Sequence, residues 1–251
     1  MRMPVDTTGR LAVEDLALFL DIDGTLAEFR SDPGSVLLEP ALLIDLAALR
    51  LRLGGAIALV SGRSLEQIDR LVAPLALPAA GLHGFERRDA AGRVYRPELL
   101  ADLSASRNAL SAALADWPGA SLEDKGPAIA VHFRDAPQHG PDIAAFLDQL
   151  VARLQPEFER LEGDQVVEIK PAAQNKGSAV AAFMREEPFV GRTPVFVGDD
   201  YTDADAFAAV RRLGGLAIAV GNRVRERHRL EHPAAVRAWL RNLLTAEDAR
   251  P

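Results

Sequence analysis

Leu16-Ala17-Leu18-Phe19-Leu20-Asp21-Ile22-Asp23-Gly24-Thr25-Leu26 is an apolar run that ends abruptly in two carboxylates, a glycine and a hydroxyl. An apolar stretch of that length, bounded by turn residues, predicts a strand buried on both faces, which is the habit of parallel sheets. Parallel strands deliver their C-terminal residues to the carboxyl edge of the sheet, where ligands bind. Asp21 and Asp23 therefore stand at a place for chemistry, with Gly24 allowing a tight turn and Thr25 offering a hydroxyl and an amide to a phosphate oxygen. Two acids so close, in different environments, could divide the work of nucleophile and proton donor. An ordinary acidic turn has the same look. A calcium loop does not fit, because its sixth and twelfth positions call for Gly and Glu and are here Leu26 and Asp32.

The same grammar recurs downstream. Pro40 opens a predicted helix with Leu42, Leu43, Leu46, Leu49 and Leu53 on one stripe, closed by Gly54 and Gly55. Ala56 to Val60 reads as a second buried strand running into Ser61-Gly62-Arg63, and Ser64 as the cap of a helix with Leu65, Ile68, Leu71, Val72 and Leu75 inward. A third strand is expected over Pro78 to Gly84, with a hairpin over Phe85 to Arg96. Between about Pro97 and Pro171 the pattern changes to αββαββ: helices over 101–115 and 141–154, strands over 121–125, 128–134, 159–162 and 166–170. The first grammar then resumes with a helix from Asn175, a strand over 194–197 ending in Gly198-Asp199-Asp200, a helix capped by Thr202, a strand over 216–220 and a last helix over 233–244. Phe29 to Glu39 reads as a loop, and the charged run Arg223 to Glu231 as a solvated helix or loop. The expectation is an α/β protein: a Rossmann-like parallel sheet core, residues 1–97 and 171–251, with an inserted αββαββ cap domain, residues 98–170.

Composition narrows the function classes. The chain has 251 residues, 48% of them hydrophobic, enough for a sizeable core. Its net charge of −7 provides no general positive field, so neither nucleic acid nor an anionic membrane is an expected partner, and any phosphate must be bound locally. The absence of cysteine excludes disulfides, thiolate metal sites and a cysteine nucleophile. The N-terminal MRMPVDTTGR lacks the apolar core of a signal peptide, and no apolar run reaches membrane-spanning length, so the cytoplasm is expected, as is a monomer.

Asp21/Asp23, Ser61, Lys176 and Asp199/Asp200 all fall at strand ends or helix starts of the core. A phosphoryl group in transfer spreads charge over three oxygens, so a site for it needs a nucleophile, donors for those oxygens and a cation. Asp21 can attack. Ser61 and Lys176 can hold the oxygens, and an all-oxygen cluster of Asp21, Asp23 and Asp199 suits Mg²⁺. Lys176 at a helix start opposes the helix dipole, which favours a functional reason for it.

Here the sequence resembles the haloacid dehalogenase superfamily of aspartate-nucleophile phosphatases. The matching motifs are DIDGT at 21–25, SGR at 61–63, the Lys of NKG at 175–177 and GDDYTD at 198–203. Within the superfamily it is most similar to the trehalose-6-phosphate phosphatases, through GRS at 62–64, GLHG at 81–84, LEDKG and AVHFR within 122–134, VEIKP before NKG, and GDDYTDADAF ending at Phe207. The resemblance implies Mg²⁺-dependent hydrolysis of a small phosphosugar, trehalose 6-phosphate, in two covalent steps. Asp21 would be the nucleophile, Asp23 the acid and base, and Lys176 the charge screen. Mg²⁺ would be held by Asp21, the carbonyl of Asp23 and Asp199, with Asp200 and Asp203 in support. Ile22, Gly24, Thr25, Ser61, Gly62 and Arg63 would line the phosphate, and the inserted module would be the cap that closes over the sugar. Glu123, Lys125, His132, Arg134 and Glu168 lie on strands of the insert, where they are either a solvated sheet face or sugar contacts; the resemblance favours contact for Glu123, Lys125 and Glu168. His83 is a buried structural histidine or a ligand residue. The competing functions are a phosphatase for sucrose phosphate or mannosyl-phosphoglycerate, a phosphosugar mutase, and a phospho-acceptor signalling module.

Overall fold

An apolar run of five residues bounded by turn residues fits a strand covered on both faces of a sheet, and β1 (Leu16–Leu20) is fully buried at the middle of one. The computed structural model describes residues 12–28, 35–99 and 101–245. The N-terminal decapeptide and residues 29–34 of the expected loop lie outside them. The chain divides into two units, one of residues up to Tyr95 together with those from Lys176 onward, the other spanning Arg96–Asn175.

In the first unit an eight-stranded sheet has the order β12-β11-β10-β1-β2-β3-β4-β5. Beside β1 lie β2 (Ile57–Val60) and β3 (Ala79–Gly81) on one side, and β10 (Thr193–Gly198), β11 (Leu216–Val220) and β12 (His228–Leu230) on the other, all parallel. β4 (Glu86–Arg88) and β5 (Val94–Tyr95) close one edge antiparallel. The chain builds outward from β1 through β2 and β3, then returns to β10 and builds the other way. The strand order therefore reverses between β1 and β10, which is where such sheets open a crevice at their carboxyl ends. The helices are α1 (Pro40–Arg52), α2 (Leu65–Val72), α5 (Lys176–Phe183), α6 (Ala204–Arg212) and α7 (Pro233–Thr245). α1 buries Leu42, Leu46 and Leu49, each contributing roughly 1.5–3 kcal/mol relative to exposure. Phe19 of β1, Phe183 of α5 and Phe189 form an aromatic cluster with centroids 5.1–5.9 Å apart, which fixes α5 against the strand that carries Asp21.

The second unit has the order α3 (Ser104–Ala113), β6 (Ser121–Asp124), β7 (Ile129–His132), α4 (Gly140–Val151), β8 (Phe158–Gly163), β9 (Val166–Pro171), the αββαββ pattern. Its four strands pair antiparallel as β6-β7-β9-β8. Ile129, Val131, Val167 and Ile169 on one face join Leu110, Ile143, Leu147 and Trp117 in a separate core. The opposite face carries Glu123, His132 and Glu168, as the period of two requires. The division falls near 95/96 and 175/176. Residues 171–174 stay with the insert because Ala172 N–H donates to Glu157 O and Lys170 Nζ to the carbonyls of Pro171 and Gln174.

Several elements differ from expectation. The third strand stops at Gly81, because Leu82 and His83 turn into left-handed backbone with φ of 49° and 57°. Part of Arg223–Glu231 is neither helix nor loop: β12 adds to the open edge of β11 there. Thr202 does not cap a helix. It sits inside a short 3-10 turn, Tyr201–Asp203, whose cap is Asp200, in reciprocal bonding with Asp203. No helix among the described residues is long and apolar enough to cross a membrane.

Candidate active site

The carboxyl end of β1 places Asp21 with only 4% of its surface exposed, its N–H held by Val197 O of β10 at 3.0 Å. The chain then folds back on itself, Ile22 O accepting from the amides of Thr25, Leu26 and Ala27. Gly24 makes this possible. Its φ is +79°, and a Cβ there would stand 2.2 Å from Asp199 Oδ2, so both conformation and space demand glycine. Thr25 is fully buried with its hydroxyl 3.4 Å from Asp199 Oδ1.

Lys176 begins α5 and is 2% exposed, its ammonium donating to Asp21 Oδ1 at 2.9 Å and to Asp203 Oδ1 at 2.6 Å. The other oxygen of Asp203 accepts from the backbone amides of Asp199 and Asp200 at 2.9 and 3.0 Å. Asp203 thus ties α5 to the loop after β10, and it is fully buried. Carboxylate oxygens of Asp21, Asp199 and Asp203 lie within 4.8 Å of one another. One ammonium cannot neutralise three such acids. Burial, helped by the charges of Asp203 and Asp23 and opposed by Lys176, pushes the Asp21 carboxyl up to about 7. Burial and the charges of Asp21, Asp203 and Asp200 push Asp199 up to about 9, and burial raises Asp200. Burial works against the Lys176 charge, but Asp203 and Asp21 outweigh it and hold the lysine well above its ordinary value. An excess of buried negative charge on oxygen donors alone fits a hard divalent cation. Asp200 adds to the fit, having a buried Oδ1 that finds no hydrogen-bond partner among the described residues.

At the end of β2, Ser61 is 1% exposed and its Oγ accepts the Arg63 N–H at 3.2 Å. Arg63 reaches back to Asp23 with two parallel bonds of 2.6 Å, the geometry that most restricts a carboxylate. Ser64 then caps α2 in a reciprocal box with Gln67, which anchors the loop to a helix start. His83 packs its ring on the backbone of Gly62: a Cβ there would lie 2.7 Å from His83 Cε1. Its own N–H donates to Ser61 O at 3.0 Å, so His83 shapes the Ser61 loop from beneath while 8% exposed.

The structure therefore brings Asp21, Lys176, Asp199 and Thr25 together, and Asp23 with Arg63. The three-carboxylate group joins Asp203, which the resemblance gives only in support, to Asp21 and Asp199. In the insert Lys125 Nζ donates to Glu168 Oε2 at 2.7 Å and lies 4.0 Å from Glu123, whose carboxylate meets His132 Nε2 at 2.9 Å. These four side chains form one polar patch. Arg134 is engaged elsewhere, clamping Asp164 at the β8–β9 turn.

Two residues carry more than their sequence positions suggest. Asp203 is the central acceptor, and its signal is the Asp-x-x-Asp spacing of a capping box. Arg223, in the run expected to be solvated, donates to Asp199 Oδ2 at 3.3 Å; its signal is its place just past the carboxyl end of β11.

The chain is similar to known proteins over most of its length. The chain is 43% identical to the "Trehalose-6-phosphate phosphatase" of Escherichia coli (strain K12), over 98% of this chain and 92% of the relative. It is 46% identical to a "Probable trehalose-phosphate phosphatase" of Sinorhizobium fredii (strain NBRC 101917 / NGR234), over 83% and 79%. Its fold superposes on the C-terminal domain of the C. albicans trehalose-6-phosphate phosphatase with a TM-score of 0.80 at 21% identity, covering 92% of each chain. A protein from Bacteroides thetaiotaomicron, described among the phosphatases of the "Haloalkanoate (HAD) Enzyme Superfamily", shares the fold at a TM-score of 0.57 and 14% identity, over 95% and 97% of the two chains. The family model for trehalose-phosphatases matches residues 19–233, and the chain belongs to the trehalose-phosphatase family.

Proposed function

We propose that the protein hydrolyses trehalose 6-phosphate to trehalose and phosphate through an aspartyl-phosphate on Asp21, with Mg²⁺ as cofactor. The observation that carries the reading is the Asp21 carboxylate at the sheet's switch point, buried and held by Lys176 among two further acids. Asp21, Asp199 and the backbone carbonyl of Asp23 would hold the ion, with Asp200 in support. When bound it supplies positive charge against the developing charge of the phosphoryl oxygens.

The chain's own groups do the rest. An Asp21 oxygen attacks phosphorus as the bond to the sugar oxygen breaks, and Asp23 gives that oxygen its proton. A water then attacks the phosphorus of the acyl phosphate, Asp23 takes its proton, and Asp21 leaves as carboxylate. Lys176, charged across the working range, keeps Asp21 oriented and screens it from the anionic substrate. Asp203 keeps Lys176 in place. Arg63 occupies both oxygens of Asp23 in this structure, so proton transfer to the sugar requires one of those bonds to exchange for the substrate. Ser61 is a donor for the phosphoryl oxygens, the Thr25 amide and hydroxyl become donors by exchanging their bonds to Ile22 O and Asp199 Oδ1 for the phosphate, and the Glu123, Lys125 and Glu168 patch is a polar surface for sugar hydroxyls.

The test is phosphate release from a panel comprising trehalose 6-phosphate, sucrose phosphate, mannosyl-phosphoglycerate and glucose 6-phosphate, in Mg²⁺ and in EDTA. Trehalose 6-phosphate should be turned over best and only with the metal. Asp21→Asn should abolish turnover, because the amide has no charge with which to attack. Preference for another substrate would reassign specificity, and near-normal activity of Asp21→Asn would replace the covalent route by direct attack of water. A stable phosphoprotein without steady release would favour the signalling module.

A further inference from the structure

The three acids at the switch point are gripped unequally. Asp203 has both oxygens committed, at 2.6 Å to Lys176 and at 2.9 and 3.0 Å to two backbone amides, and Asp21 accepts from Lys176 at 2.9 Å. Among the described residues, the carboxylate of Asp199 has only longer contacts: the Thr25 hydroxyl stands 3.4 Å from Oδ1, and Arg223 Nη1 stands 3.3 Å from Oδ2. Bonds between charged groups ordinarily measure about 2.7–2.9 Å, so Asp199 is covered without being clamped. Its Oδ2 is also crowded by Gly24, whose missing Cβ would lie 2.2 Å away. Little room remains for a further group on that oxygen while Arg223 stands on it.

The backbone around Arg223 is fixed. The chain leaves β11 through Gly221, which has a φ of +68° and donates its N–H to Leu230 O of β12 at 2.9 Å, and Val224 is buried in the main core. The side chain itself is 32% exposed, against 7% for that of Asp199. A guanidinium that lets go of Asp199 therefore has water to turn to.

We infer that Arg223 is a tethered counter-cation on Asp199, one that a divalent ion has to displace and that thereby sets how tightly the acid cluster binds that ion. The inference rests on the metal role proposed above for Asp199. An ion about 2.1 Å from a carboxylate oxygen and a guanidinium on the same oxygen would stand a few ångströms apart, and like charges repel strongly in so buried a place. The two exclude each other. Without the ion, Arg223 offsets part of the negative charge that Lys176 leaves unbalanced. Its hold is light: burial and the charges of Asp21, Asp203 and Asp200 still push the Asp199 carboxyl up to about 9 with Arg223 beside it. Lys176 cannot play this part, being buried between two acids at short distance.

The test is calorimetric titration of Mg²⁺ into the full chain after EDTA treatment, at one fixed pH and ionic strength, with a cooperative melting transition showing that each variant is folded. Arg223→Met and Arg223→Gln both remove the charge, and each should bind Mg²⁺ roughly three- to tenfold more tightly than the wild type, since competition for one oxygen is reciprocal. One long contact asks for a charge rather than a planar fork, so Arg223→Lys should stay within about twofold of the wild type. Arg225 is exposed two positions further on. Arg225→Met removes an equal charge without touching Asp199 and should also stay within about twofold, which separates the contact from the general field of the loop. Unchanged or weaker binding by the two neutral Arg223 variants overturns the inference and leaves the metal reading standing. So does equal tightening by Arg225→Met. If neither the wild type nor any variant takes up Mg²⁺, the metal reading falls and the inference with it.

Discussion

Asp203 shows how one side chain can organise a site without being its reacting group. Its two oxygens are fully committed, one to the Lys176 ammonium and the other to two backbone amides of the Asp199 loop. Asp203→Asn keeps the volume but replaces an acceptor oxygen by an amide nitrogen, leaving a buried donor facing a donor. Breaking one side of a buried charged pair typically costs about 3–5 kcal/mol. We therefore expect a clear fall in melting temperature. We also expect kcat to drop by roughly 10²-fold or more as Lys176 loses one of its two anchors and Asp21 its orientation. Both are measurable by thermal denaturation and by turnover of an aryl phosphate, whose good leaving group takes Asp23 out of the comparison. Unchanged kcat would mean that Asp21 alone suffices to position the lysine. The sequence discloses that Asp203 could cap, but not that Lys176 would come to it. That contact joins segments 27 positions apart, and no local periodicity reports on it.

At the scale of elements, the strands and helices with a strong apolar period are legible, and the short or competing ones are not. β1, α1, α2 and the αββαββ order of the insert come from a short apolar run bounded by turn residues and from stripes of helical or alternating period. β12 escapes because three residues, His228 to Leu230, carry no usable period, and what makes them a strand is the open edge of β11. Thr202 is a false cap signal because two cap-forming residues compete within three positions, and the reciprocal bond from Asp203 decides for Asp200. The polar face of the insert's sheet is legible as a face, its internal pairing is not. Lys125 donates to Glu168 and lies near Glu123, so on the proposed function a sugar would compete with, or join, an existing network. Glu123→Ala, Lys125→Ala and Glu168→Ala should each lower kcat/KM for trehalose 6-phosphate, by about 1–3 kcal/mol for hydrogen bonds involving charged groups. Hydrolysis of a small aryl phosphate should hardly change. Parallel losses on both substrates would make these residues supports of the fold, and no loss on either would remove the patch from the sugar site.

For the molecule as a whole, the crowding of acids at the switch point couples stability to pH and to the metal. In the unfolded chain the carboxyls of Asp21 and Asp199 titrate near 3.8, whereas in the folded protein they are raised to about 7 and about 9. Between about pH 4 and pH 9 the folded state therefore binds more protons than the unfolded one. The slope of unfolding free energy with pH is proportional to unfolded minus folded protons bound, so it is negative across that window. These two groups favour the fold fully below about pH 4, and lose that contribution as pH rises through their folded values. Lys176 acts elsewhere: raised from 10.5, its contribution is complete below that pH and is lost only at higher alkalinity. On the proposed function Mg²⁺ would bind the ionised carboxylates, so proton and metal would compete for the same oxygens. The melting temperature in EDTA should accordingly fall from about pH 5 to about pH 9, and the increment from saturating Mg²⁺ should grow over the same range. Asp199→Asn removes one of the two raised acids. Its melting curve in EDTA should fall less steeply with pH, end above the wild type at pH 9, and respond little to Mg²⁺. An EDTA melting temperature independent of pH would mean that the cluster is neutralised by groups other than protons. A metal increment unchanged by pH would place the ion away from Asp21 and Asp199.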